Sequence, residues 1–97
     1  MLEVVLSLRA RQDMVDIAAY TLANWDERQM ARYVDGLQAR FSALARFPDT
    51  GRRRDEIGRG LRSIVQGSHV VFYRVTKSTL VVIRVLHVRM NPAYHLI

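Results

Sequence analysis

The chain has 97 residues and a mass of 11.2 kDa, with 49% hydrophobic and 25% charged residues, which excludes a multidomain protein and a disordered tail. Fifteen basic residues, all but Lys77 arginine, against nine acidic ones give a net charge of +6 and suit an acidic partner: nucleic acid, an anionic membrane surface or an acidic protein segment. The absence of cysteine removes disulfides, thiolate metal sites and thiol nucleophiles, and fits a reducing cytosol.

In chain order, Glu3-Val4-Val5-Leu6 reads as a short first strand, and Ser7 behind it is placed to cap a helix. From Ala10 the apolar residues Met14, Ile17, Ala18, Leu22 and Trp25 recur at three-to-four spacing, which predicts an amphipathic helix to about Asn24. Asp26 followed by Gln29 has the form of a capping box and opens a second stripe of Met30, Val34, Leu37, Phe41 and Leu44, ending before Pro48. The gap of a residue or two between the helices favours an antiparallel hairpin.

Phe47 to Gly51 is turn chemistry, and Arg52 to Gly60 has neither helical nor alternating periodicity, so it is expected to be a surface loop. Leu61 to Val65, Ser68 to Val75 and Leu80 to His87 are rich in Val, Ile, Phe and Tyr and predict three strands joined by hairpins. Val70 to Tyr73 and Leu80 to Ile83 are apolar at consecutive positions, so both faces of those strands should be covered. Met90 to Ile97 is a tail whose Pro92 argues against a continuing strand. The order β-α-α-β-β-β defines an α+β fold, a helical hairpin on a small, mainly antiparallel sheet, as one domain over residues 1–97. No apolar run is long enough to span a membrane or to serve as a signal peptide.

Chemistry-bearing motifs are sparse. His69, His87 and His95 lack metal-ligand spacing, and no metal or cofactor is expected; His69 reads as a hydrogen-bonded turn residue. Asp13 and Asp16, near Arg9 and Arg11, read as a solvated charged face. Gly58-Arg59-Gly60 lacks the third glycine and preceding strand of a phosphate loop, so loop flexibility is the plainer account. Arg62, Arg74, Arg84 and Arg89 are either a fixed binding surface or the solvent side of the sheet. By alternation Arg74 shares its phase with Val70 and Phe72, and Arg84 with Val82 and Leu86; the hairpin register decides whether both face the same side. Residues 1–56 hold nine basic and nine acidic side chains, so the net charge resides in residues 57–97, which have no acid.

Leu6-Ser7, Phe47-Pro48, Gly51-Arg52, Asp55-Glu56-Ile57, Gly60-Leu61-Arg62-Ser63 and above all Gly67 to Val75 and Arg84 to Met90 resemble the ParE branch of the ParE/RelE toxins of bacterial toxin–antitoxin modules. The resemblance implies the same β-α-α-β-β-β fold and a small cytoplasmic toxin that inhibits DNA gyrase by protein binding. It also implies a hetero-oligomer with a cognate antitoxin of ribbon-helix-helix type, whose extended C-terminal arm wraps the toxin. Leu8 and Asn91 stand where the family often has proline and aspartate. In the RelE-like nucleases an arginine precedes the tyrosine of the central strand by three positions; here that position is Val70, which cannot stabilise phosphate charge. The alternative reading is a ribosome-dependent mRNA endonuclease using Tyr73, Arg74, Arg84 and His87; a plain basic nucleic-acid-binding module is a third. Gyrase-directed binding puts the target contacts at Arg74, Arg84, His87, Arg89, Met90 and Asn91, without sequence-specific nucleic-acid binding. Antitoxin contacts are expected at Tyr20, Trp25 and Tyr33, unless these aromatics are core, and at Arg52, Arg53, Arg54 and Arg62.

Overall fold

A computed structural model describes residues 1–96. Strand β1 (Glu3–Leu6) leads into α1 (Leu8–Asn24), where the Ser7 side chain accepts from the Ala10 amide and so satisfies one of the free donors of the first turn. Asp26 does the same for α2 (Glu27–Arg46) by accepting from the Gln29 amide at 2.7 Å. A 3-10 turn (Pro48–Thr50) is followed by β2 (Arg52–Arg53), β3 (Arg62–Gln66), β4 (His69–Val75), β5 (Thr79–His87) and a short helix α3 (Pro92–His95). The predicted fold is present with two additions. The two-residue β2, inside the expected loop, pairs antiparallel with Arg62 and Ser63 of β3, and the tail closes into a helical turn capped by Asn91.

The sheet order is β1-β5-β4-β3-β2, antiparallel except for β1, which runs parallel to β5. Ala10, Ile17, Leu37, Phe41 and Leu44 of the helical hairpin pack on Val71, Tyr73, Leu80, Val82 and Val85. Leu61, Phe72 and Leu86 form a second cluster, joined by Ile57 from the loop and Leu96 from the tail. Both faces of the central strands are therefore covered, as their unbroken apolar runs imply.

A bulge sets the register that alternation alone leaves open. Phe72 pairs with Arg84 and Tyr73 with Val82, so Ile83 is an extra residue in β5. Leu80, Val82 and Val85 can then all face the helices, although strict alternation would place Val85 on the opposite face from Val82. The same shift takes Arg84 out of phase with Val82 and sets it opposite Phe72. Arg74, two residues beyond Phe72 on β4, lies on that same face.

Because β1 pairs only with Thr79 to Val82, the edge of β5 beyond it needs other partners. The start of α1 supplies them. The Ser7 amide donates to the Val82 carbonyl, the Ser7 hydroxyl to the Ile83 carbonyl at 2.7 Å, and the Val85 amide to Asp13 Oδ2 at 2.9 Å.

The loop from Arg54 to Leu61 is hydrogen-bonded rather than loose. Ile57 and Gly58 amides donate to the Arg54 carbonyl, Arg54 and Leu61 are bonded across the loop, and Gly60, at φ +77°, directs its amide to Asp55. Flexibility is therefore not its role; it folds Ile57 onto Phe72.

Candidate functional site

The exposed end of β5 and the tail carry the candidate target contacts. Arg89, Met90 and Asn91 are exposed, as is Tyr94, at 82%. His87 is half-buried, with Nδ1 accepting from the Arg89 amide at 3.1 Å. Arg74 is partly covered and donates through Nε to the Arg59 carbonyl at 3.0 Å, which fastens the loop to β4.

Arg84 is not available as a surface contact. Its Nε and Nη2 meet both carboxylate oxygens of Asp13, at 2.8 and 2.9 Å, and the two side chains are only 15% and 11% exposed. The third donor, Nη1, reaches the His95 carbonyl at 2.9 Å. The bidentate contact holds the Arg84 proton above the usual arginine range. Asp13 is correspondingly not on a solvated face; only Asp16, exposed and accepting from Gln12, fits that description. The signal was present in the sequence, since Asp13 falls between Ala10 and Ile17 in the phase of the buried stripe. The basic excess of the sheet half is reduced accordingly, because the Arg84 charge is cancelled from α1.

On the helical layer, Tyr20 and Trp25 are 67% and 69% exposed, together with Val15 and Leu22. An open, mostly apolar groove runs between the helices, floored by Met14, Ala18, Val34 and Phe41 and edged by Arg11. Tyr33 is different: its hydroxyl binds His69 Nδ1 and accepts from the Ser68 amide, so it pins α2 to the β3–β4 turn. Gly67 in that turn has φ +60°, and an added Cβ would sit 2.8 Å from the Tyr33 ring. His69 lies edge-on between Tyr33 and His87, with ring centroids 5.4 Å apart in both pairs. Burial, and then the neighbouring His87, push the His69 pKa below its ordinary value.

The arginines assigned to antitoxin binding divide into two groups. Arg52 and Arg53 are exposed, Arg53 pairing with Asp55. Arg54 is largely covered, bonded to Glu56 and Ser63 above the Phe72 ring, and Arg62 donates to the Gly51 carbonyl at 2.7 Å. These two serve the fold. Glu56 and Asp55 both titrate below the usual carboxylate range, Glu56 through its bond to Arg54 and Asp55 through the Gly60 amide and Arg53.

Tyr73, a candidate in the nuclease reading, is fully buried; its hydroxyl donates to the Pro48 carbonyl at 2.7 Å and accepts from the Gly51 amide at 2.9 Å. Among the described residues there is no group of three His, Cys, Asp or Glu able to hold a metal ion, and no helix long and apolar enough to cross a membrane.

Comparison with known proteins gives one answer. A family model described as the ParE toxin of the parDE type II toxin–antitoxin system matches residues 4–92. Toxin ParE1 of Caulobacter vibrioides is 42% identical over 91 residues, covering 94% of each chain. Toxin ParE1 of Mycobacterium tuberculosis is 40% identical over 88 residues, covering 90% of each. A solved chain of the chromosomal ParDE system of P. aeruginosa superposes with a TM-score of 0.78 at 15% identity, over 92% of this chain and 98% of that one, a likeness of fold. A chain of the RelBE2 toxin–antitoxin complex of M. tuberculosis gives 0.56 at 25% identity, over 89% and 96%. With the fold, the β4 and β5 blocks and these relatives in agreement, the chain belongs to the ParE toxins of type II toxin–antitoxin systems.

Proposed function

We propose that this toxin inhibits DNA gyrase by protein–protein binding in the cytoplasm, with no catalytic chemistry of its own. The observation that carries the non-enzymatic reading is the commitment of two of the four nuclease candidates, Tyr73 and Arg84, to the fold, which leaves His87 without the partners the reading needs. Tyr73 is buried with its hydroxyl engaged twice, Arg84 is enclosed by Asp13 and the His95 carbonyl, and Val70 offers no donor to a phosphate. General acid–base chemistry on RNA needs such groups within reach of the substrate. The exposed sequence Arg89-Met90-Asn91, with His87 beside it and Tyr94 beyond, is a compact contact surface combining a cation, a thioether and an aromatic ring, types favoured in protein interfaces.

The partner at rest is a cognate antitoxin of ribbon-helix-helix type, in a hetero-oligomer. The apolar groove between α1 and α2, with Tyr20 and Trp25 exposed nearby, suits the apolar side of an antitoxin arm, and Arg52 and Arg53 suit its acidic residues.

A supercoiling assay with gyrase and the purified toxin tests the target. Inhibition that is relieved by the antitoxin and weakened at least tenfold by combined Arg89→Ala and Met90→Ala is expected. Unaffected gyrase at stoichiometric excess, with translation-dependent mRNA cleavage after induction, would replace this reading by the nuclease one.

A further inference from the structure

The tail is held in a way that the target surface itself does not explain. Helix α3 has four residues, far too few to be stable alone, so its position depends on what it touches. Leu96 packs against the Leu61, Phe72 and Leu86 cluster. Among the described residues, one hydrogen bond joins Asn91–Leu96 to the rest of the chain, from Arg84 Nη1 to the His95 carbonyl. Leu96 is the apolar anchor of the tail, but on its other side an open cleft is lined by Leu8, Arg9 and Ile83 as well as Arg84, so there the bond rather than packing fixes the backbone. The donor is aimed by Asp13, which accepts from the other two nitrogens of the guanidinium along one edge and also binds the Val85 amide. A planar, five-donor side chain serves three directions at once; an ammonium on a flexible stem does not.

We propose that Asp13 and Arg84 are positioning residues that lock the C-terminal segment Asn91–Leu96 onto the sheet and thereby present Arg89, Met90 and Tyr94 to the target. The pair acts through the tail and touches no target itself, and its functional part rests on the gyrase-binding reading above. It also makes α1, the helix that edges the apolar groove, part of the support of the target surface, since Asp13 lies between Arg11 and Met14 of that groove. A tail cut loose from Arg84 pays the ordering entropy at the moment of binding, which lowers affinity without removing any contact residue.

The experiment uses the full chain separated from its antitoxin, as wild type, Asp13→Asn and Arg84→Lys. Arg84→Lys keeps a positive charge opposite Asp13 and is the variant chosen to remain folded if Asp13→Asn does not. Backbone order parameters at Ala93 to Leu96 near the rigid value of about 0.85 are expected for wild type, falling below about 0.6 in Arg84→Lys while β4 and β5 stay rigid. In parallel, gyrase inhibition should weaken about tenfold in that variant, and Arg9→Lys, which alters the cleft without touching the pair, should match wild type in both measurements. A tail as rigid in Arg84→Lys as in wild type overturns the proposal, as does a tail already mobile in wild type. Full inhibition by a variant whose tail has been released overturns it as well. If wild type leaves gyrase untouched, the gyrase reading fails, and the order parameters alone decide whether the pair holds the tail.

Discussion

The hydroxyl of Tyr73 sits between the Pro48 carbonyl and the Gly51 amide, donating to one at 2.7 Å and accepting from the other at 2.9 Å. A central strand is thereby tied to the segment that follows α2, and burial pushes the phenol pKa up. Tyr73→Phe leaves two backbone groups without a partner and is expected to cost about 1–3 kcal/mol in urea unfolding. Gly51→Ala should cost a similar amount or more, because its Cβ would lie 2.7 Å from Tyr73 Cε1. A neutral Tyr73→Phe would show that water replaces the hydroxyl there.

Removing one member of a covered ion pair strands the other. Asp13→Ala should therefore destabilise the chain by about 3–5 kcal/mol, whereas the exposed Asp16→Ala should stay within about 0.5 kcal/mol. Thermal unfolding of the two variants side by side checks the contrast, and equal losses would contradict the assignment of Asp13 to the interior.

Protonation of His69 opposes folding. Its folded pKa lies below the ordinary 6.5, so between the two values the unfolded chain binds more protons. Its stability contribution is then complete above about pH 6.5 and is lost as pH falls through the folded pKa. Denaturant midpoints should fall from pH 7.5 to pH 5, and His69→Gln should flatten that slope. Asp55 and Glu56, whose folded pKa values are also lowered, act in a separate window that opens as pH falls below 4.5 for Glu56 and 3.8 for Asp55. An unchanged slope in His69→Gln would assign the effect to another group.

Antitoxin binding should separate into rate and residence. Neutralising the exposed Arg52 and Arg53 should slow association several-fold at low salt and leave dissociation nearly unchanged, because exposed charges steer encounter. Trp25→Ala, which removes an exposed ring from the helical layer, should speed dissociation about thirtyfold, the equivalent of a 2 kcal/mol anchor. Surface plasmon resonance resolves both rates. Equal effects on association from the two variants would sink the division.

The local signals were written plainly in the sequence. Ser7 and Asp26 cap their helices because short polar side chains satisfy free amides wherever the chain turns into a helix. The apolar periods of α1, α2, β4 and β5 gave the layers, and the blocks from Gly67 to Val75 and from Arg84 to Met90 carried the family. What alternation could not supply was the bulge at Ile83, since an extra residue is fixed by how Val82 and Val85 fill the space under the helices. Composition determined that a basic excess lies in the sheet half; only the tertiary structure decided which arginines are free. Arg89 and Arg52 meet solvent, as does Arg53 although it is paired with Asp55, while Arg84, Arg54 and Arg62 are spent on Asp13, Ser63 and Gly51. Those partners lie 71, 9 and 11 positions away along the chain, and pairing across such separations follows from packing rather than from any local pattern of residues.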